Sequence, residues 1–152
     1  MTTEGSRVLL CDTGFLSRAI LGTSPFIEFY QELAPVYQPV ISTAIFIELQ
    51  HWLLLERGSP VNPISRTEYD RHRKRLETLI TLNSDGISEQ AMNVARRWPD
   101  TGVGDCYTIA TALVFDVPIF TLNPKHFERV VGLNLYKPAN YQELLLSVKR
   151  SA

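Results

Sequence analysis

The chain has 152 residues, 45% hydrophobic and 20% charged, with a formal net charge of −1. That length and composition fit one ordinary globular domain spanning residues 1–152. The near-zero charge excludes a global basic field for nucleic acid, so any such binding needs a local patch or bound metal ions. Two cysteines, Cys11 and Cys106, make no disulfide framework, and reduced thiols in a cytoplasmic protein are the expectation. The apolar run near the N-terminus is too short for a secretory signal. No stretch approaches the roughly 20 apolar residues that cross a bilayer, so no membrane is expected.

Residues 7–11 are short, apolar and without alternation, the pattern of a strand buried on both faces. Asp12 ends that strand, Thr13-Gly14 allows a tight turn, and a helix starts at Phe15 and includes Ile20. From this segment alone Asp12 is either a helix cap or a functional carboxylate. A second helix covers 24–33, with Ser24 as its cap and Pro25 in its first turn. A strand over 39–41 follows, and Ser42 or Thr43 caps a third helix over 44–55. That helix is apolar almost all round, which makes Glu48 conspicuous. A carboxylate in apolar company is paired, metal-bound or protonated, unless it shares a narrow exposed stripe with His51 and Leu55.

Glycine and prolines mark residues 57–65 as a loop. A long helix over 67–82 carries the basic run from Arg71 to Arg75, including His72. The run is a solvated face or a ridge for RNA backbone or an acidic partner. A short strand is predicted near 84–87, and Ser88 caps a helix ending at Trp98. Asp105 stands in the first turn of the next helix, where the dipole favours a carboxylate. Pro118 breaks that helix and a strand over 118–121 delivers Thr121 and Asn123 to its carboxyl end. A last strand over 133–136 and a closing helix over 141–149 complete the chain.

Short buried strands alternating with helices predict an α/β fold with a parallel sheet covered on both faces. Asp12, Glu48 and Asp105 then stand at equivalent points of one sheet edge, where open α/β sheets place their chemistry. Three clustered carboxylates repel one another, and a divalent cation, Mg²⁺ or Mn²⁺, offsets that repulsion. Such an ion activates water and polarises a phosphoryl oxygen. Thr121 and Asn123 are placed to hold the attacking water or one on the metal.

These segments resemble a known family. Asp12-Thr13-Gly14 after an apolar strand, Ser42-Thr43 before Glu48-Leu49, Gly104-Asp105 before Ile109-Ala110-Thr111-Ala112, and Thr121-Leu122-Asn123 before His126-Phe127 look like a PIN domain. Within that superfamily the chain is most similar to the VapC-type toxins of bacterial toxin–antitoxin pairs. The resemblance implies a three-layer α/β/α sandwich with a five-stranded parallel sheet. It implies metal-dependent endonucleolytic cleavage of RNA, with Asp12, Glu48 and Asp105 as the acidic metal ligands and Thr121 and Asn123 as the polar pair. A homodimer and a cognate antitoxin partner are implied as well. Many members carry a further aspartate in or near the last motif. Here Asn123 and His126 occupy those places without negative charge, which points to a one-metal site or to an impaired module that binds RNA or a protein partner. Asp100, in the loop before Asp105, is either the missing charge or a surface turn residue.

Overall fold

The structure is a computed structural model that describes residues 7–150. β1 (Val8–Cys11) passes at once into α1 (Thr13–Ile20), and α2 (Phe26–Leu33) leads to β2 (Gln38–Ser42). α3 (Thr43–Arg57) follows β2 directly, then α4 (Arg66–Glu77) and β3 (Ile80–Leu82). α5 (Ile87–Arg97), α6 (Val103–Phe115), β4 (Ile119–Phe120), a 3-10 turn at Pro124–His126 and α7 (Tyr141–Arg150) complete the order.

The strands form one parallel sheet in the order β3-β2-β1-β4. Leu9, Leu10 and Cys11 point alternately to the two faces of β1 and all are fully buried, so both faces are covered. Phe15 of α1 packs edge-on against Phe120 of β4 at 4.9 Å and against Phe29 of α2 at 5.6 Å. Burying such a ring stabilises by about 2–3 kcal/mol. These contacts fasten α1 and α2 to the β4 end of the sheet.

The α/β fold with a parallel sheet between helices is the expected one, with differences. Among the described residues the sheet has four strands rather than five. Segment 133–136 makes a single parallel bridge, Ile119 to Leu135, with hydrogen bonds from Ile119 N–H to the Asn134 carbonyl and from Tyr136 N–H to the Ile119 carbonyl, each 2.9 Å. Gly132, at φ 87°, turns the chain into that bridge, and Pro138 has no N–H with which to extend it. The third strand lies at 80–82 rather than 84–87, and the helix before it stops at Glu77. Thr78, Ile80 and Thr81 are β-branched and favour an extended chain once β2 offers an edge. Ser24 does not cap α2: Pro25 takes the cap position and the Ser24 hydroxyl donates to Glu28 at 2.7 Å. Ser88 lies inside α5, and Gly86 takes its cap position.

The basic run also divides differently. Arg71, Lys74 and Arg75 are exposed and Arg73 pairs with Glu77 at 2.7 Å, but His72 is buried with no hydrogen-bond partner at Nδ1 among the described residues. Tyr69, His72, Leu76 and Leu79 share the inward face. Burial, with Arg71 and Arg75 nearby, pushes the His72 imidazole below its ordinary value. A lowered folded value means the unfolded chain binds the extra proton, so this residue costs stability as pH falls below about 6.5. His72→Leu removes a buried unsatisfied nitrogen worth about 1–3 kcal/mol. The variant is expected to melt higher at neutral pH and to lose less of its melting temperature between neutral pH and about pH 5.

Candidate active site

A parallel sheet presents all its carboxyl ends at one edge, and a helix that precedes a strand begins at that same edge. Asp12 is the first residue past β1 and caps α1: its Oδ1 accepts from the Thr13 N–H at 2.8 Å. Its Oδ2 accepts from the Thr121 hydroxyl, just past β4, at 2.7 Å. Thr121 is buried, and its Oγ1 also accepts from the Asn123 N–H at 3.0 Å. Its carbonyl accepts from the Tyr141 hydroxyl of α7 at 2.6 Å. The Thr121 hydroxyl is therefore occupied with orienting Asp12, where the sequence suggested a water-holding role. Asn123 is exposed at the pocket wall.

Glu48 projects from the second turn of α3. Ser42 launches that helix by accepting from the Ile45 N–H at 3.1 Å, and its hydroxyl pairs with that of Thr108 of α6 at 2.9 Å in the core. α3 is not apolar all round: Ile47, His51, Leu54 and Leu55 are exposed, as is Glu48 itself. The exposed stripe is real, yet Glu48 is not idle on it, since its Oε1 accepts from the Thr13 hydroxyl at 2.6 Å.

Asp105 lies in the first turn of α6, which precedes β4 and so begins at the same edge. A Cβ added to Gly104 would lie 2.5 Å from Glu48 Oε2. Only glycine lets the Glu48 carboxylate lie over the start of α6.

Asp12, Glu48 and Asp105 line one open pocket of about 420 Å³ with Thr13, Arg18 and Asn123. Among the described residues none of the three acids is in an ion pair. Burial pushes the Asp105 carboxyl up to about 6, with the charges of Asp12 and then Glu48 adding to the rise and His126 opposing it. Burial also raises Asp12, against the hydrogen bonds from Thr121 and Thr13. Carboxylates gathered in one pocket form an oxygen-donor set suited to a hard divalent cation. As placed, the side chains do not close into a ligand shell: among the described residues no three His, Cys, Asp or Glu groups are arranged to hold one ion.

Asp100 is not a fourth acid here. It is exposed, outside the pocket lining, and bound by Arg129 through two hydrogen bonds of 2.8 and 3.1 Å. His126 joins that cluster, with Nδ1 3.2 Å from Arg129 Nη2 and 3.8 Å from Asp100. Cys11 and Cys106 are buried, free thiols of the core. Sequence reasoning missed Thr13, Gly104, Arg18 and the Ser42–Thr108 pair. Thr13 and Gly104 each adjoin a predicted acid, which is the signal that was available for them.

No family model and no curated protein sequence matches the chain. Solved structures do. A chain of the VapBC2 complex of Rickettsia felis, bound to a DNA fragment from its promoter, superposes with a TM-score of 0.64 at 17% identity, covering 85% of this chain and 97% of that one. A chain of a toxin–antitoxin complex from Klebsiella pneumoniae gives 0.59 at 23% identity, with 82% and 94% covered. The protein PAE2754 from Pyrobaculum aerophilum gives 0.59 at 13% identity, with 95% and 98% covered. The chain has a PIN-like fold. Asp12, Glu48 and Asp105 gather at the carboxyl edge of its sheet. No helix among the described residues is long and apolar enough to cross a membrane.

The raised Asp105 value gives a prediction free of any assumption about function. By NMR, in metal-free protein, the Asp105 carboxyl titrates at about 6, and Glu48→Gln lowers that midpoint by removing one like charge. A folded value above the unfolded one, about 3.9, means that stability falls as pH rises from about 4 to about 6. Asp105→Asn therefore raises the melting temperature at neutral pH. The gain is about 1 kcal/mol after solvent screening, or about 2–4 °C.

Proposed function

We propose that the chain is a metal-dependent endoribonuclease and the toxin of a type II toxin–antitoxin pair. The observation that carries this reading is the set of three carboxylates, none in an ion pair among the described residues, lining one pocket at the carboxyl edge of a PIN-like sheet. Asp12, Glu48 and Asp105 would hold Mg²⁺ or Mn²⁺. Asp12 is already oriented, and Glu48 is exposed and needs only a side-chain rotation to leave Thr13. Bound there, a divalent cation supplies Lewis acidity toward a phosphoryl oxygen and toward the attacking water. Thr121 and the Thr13 N–H fix the direction of the Asp12 carboxylate, so the acid does not have to be ordered during the reaction. Asn123 offers its amide at the pocket wall to a water or a phosphate oxygen. Hydrolysis adds water across the P–O3′ bond, leaving a 5′-phosphate and a 3′-hydroxyl.

The structural likeness to toxin–antitoxin complexes supports an antitoxin partner, and the proposed toxin role carries with it a homodimer and a cytoplasmic setting. A second reading, a PIN-fold module without catalysis, draws on two facts. Asn123 stands where many PIN domains carry an acid, and Asp100 is held by Arg129 away from the pocket.

Cleavage of single-stranded RNA by the purified chain tests the first reading. Activity is expected with Mn²⁺ or Mg²⁺, is lost on adding EDTA, and falls at least about 100-fold in Asp12→Asn and Asp105→Asn. Cleavage that survives EDTA, or both variants at full rate, removes the mechanism. Calorimetry separates the second reading, because a catalytically silent module shows no Mn²⁺ binding that Asp105→Asn abolishes.

A further inference from the structure

One cation lines the acidic pocket. Arg18, in the last turn of α1, shares it with Asp12, Glu48 and Asp105. Its Nη1 donates to the Gly14 carbonyl at 2.9 Å, and its guanidinium carbon lies 5.6 Å from the centre of the Phe26 ring, which is fully buried. These two contacts hold the guanidinium in one place. Yet among the described residues Arg18 forms no ion pair, although three carboxylates line the same pocket. Two of the carboxylates, Asp12 and Glu48, are held instead by neutral donors, Thr13 and Thr121. A guanidinium has five N–H donors, and the described residues claim one of them.

From this arrangement, and resting on the nuclease reading above, we infer that Arg18 binds the phosphate of the RNA strand in the pocket. A fixed fork with open donors matches two phosphate oxygens, which a flexible ammonium does not. The charge balance points the same way. One divalent cation and one guanidinium together offset three carboxylates, so an incoming phosphate meets a neutral pocket rather than a repelling one. Were Arg18 present only to screen the acids, a direct pair with one of them would serve, as Arg129 serves Asp100. Were it only a brace between Gly14 and Phe26, nothing would require it to line this pocket.

The test uses the full chain and a fluorescent single-stranded oligoribonucleotide. Affinity is read by anisotropy without metal in the Asp105→Asn background, where the RNA stays intact. Adding Arg18→Ala is expected to weaken binding about 10-fold or more, Arg18→Lys to restore part of it, and the slope of log affinity against log salt to shrink by about 0.7, one phosphate contact. In the otherwise unmodified chain with Mn²⁺, Arg18→Ala raises KM, while Mn²⁺ affinity by calorimetry and the melting temperature hold. Unchanged RNA affinity with a lowered melting temperature overturns the inference and leaves Arg18 a structural brace. Tighter RNA binding overturns it outright, and unchanged RNA affinity with tighter Mn²⁺ binding overturns it in favour of a screening role. If the unmodified chain neither binds nor cleaves RNA, the nuclease reading fails and this inference with it. If it cleaves and Arg18→Ala changes neither KM nor affinity, the inference alone falls.

Discussion

Carboxylates repel one another, and this fold gathers three of them at one edge of a sheet without an ion pair for any of them among the described residues. At an effective dielectric near 20, two unit charges at close approach, about 4 Å, repel by about 4 kcal/mol, and by less as they separate. A hydrogen bond to a charged group returns about 1.5–3 kcal/mol. For Asp12 the donors Thr13 and Thr121 offset part of the cost of burial, and its carboxyl still rises. Asp105 has no such donors among the described residues, and burial, with the charges of Asp12 and Glu48 adding to it, raises its carboxyl to about 6. Much of the surrounding structure serves this arrangement. Tyr141 brings α7 onto Thr121, Thr121 orients Asp12, and Ser42 with Thr108 sets the helix of Glu48 against that of Asp105.

The choice of neutral donors has a consequence that the nearby Asp100 makes plain. Asp100 is held by a guanidinium, which keeps its carboxyl below the usual range, and it lies outside the pocket. An acid neutralised in that way has little left to offer a cation. Hydroxyl and amide donors fix a carboxylate's direction while leaving its charge and its remaining lone pairs in place. Thr13 does this twice, through its N–H to Asp12 and its hydroxyl to Glu48. One residue thereby couples the end of β1 to the second turn of α3.

The parts of this design that were legible in the sequence are those where one strong signal acts alone. Three of the strands are short apolar runs bounded by Asp12, Ser42 and Thr121, and the parallel order of the sheet follows from their alternation with helices. The rest was hidden by competing signals. Leu76, Leu79 and Ile80 continue a helical spacing, so nothing local showed that β2 would draw residues 80–82 into the sheet as β3. Four basic neighbours made His72 read as surface, although Tyr69, His72 and Leu76 already had the spacing of an inward face. The apolar content of α3 concealed where its neighbours end, and Ile47, Leu54 and Leu55 are left exposed. Thr121 was found, but its task depends on which atom Asp12 presents, a matter of three dimensions. Gly104 is informative only once Glu48, 56 positions earlier in the chain, is known to lie above it.

On the proposed reading, the neutral residue at position 123 and the arginine at position 18 belong to one electrostatic solution. A carboxylate at 123 would bring a fourth negative charge to the pocket wall, and a single divalent ion would leave the pocket repelling phosphate even with Arg18 present. A second ion would be needed, and with it the guanidinium would be superfluous as a counter-charge. With Asn123 the demand for positive charge falls to what one ion and one fixed guanidinium supply. The guanidinium differs from an ion in one respect that matters for recognition. It is covalently part of α1, braced by Gly14 and Phe26, so it presents its donors in a fixed direction whether or not metal is bound. That separates the two functions a second ion would combine: charge neutralisation, which any cation performs, and orientation of the phosphate relative to Asp12, which requires a donor whose position the fold sets.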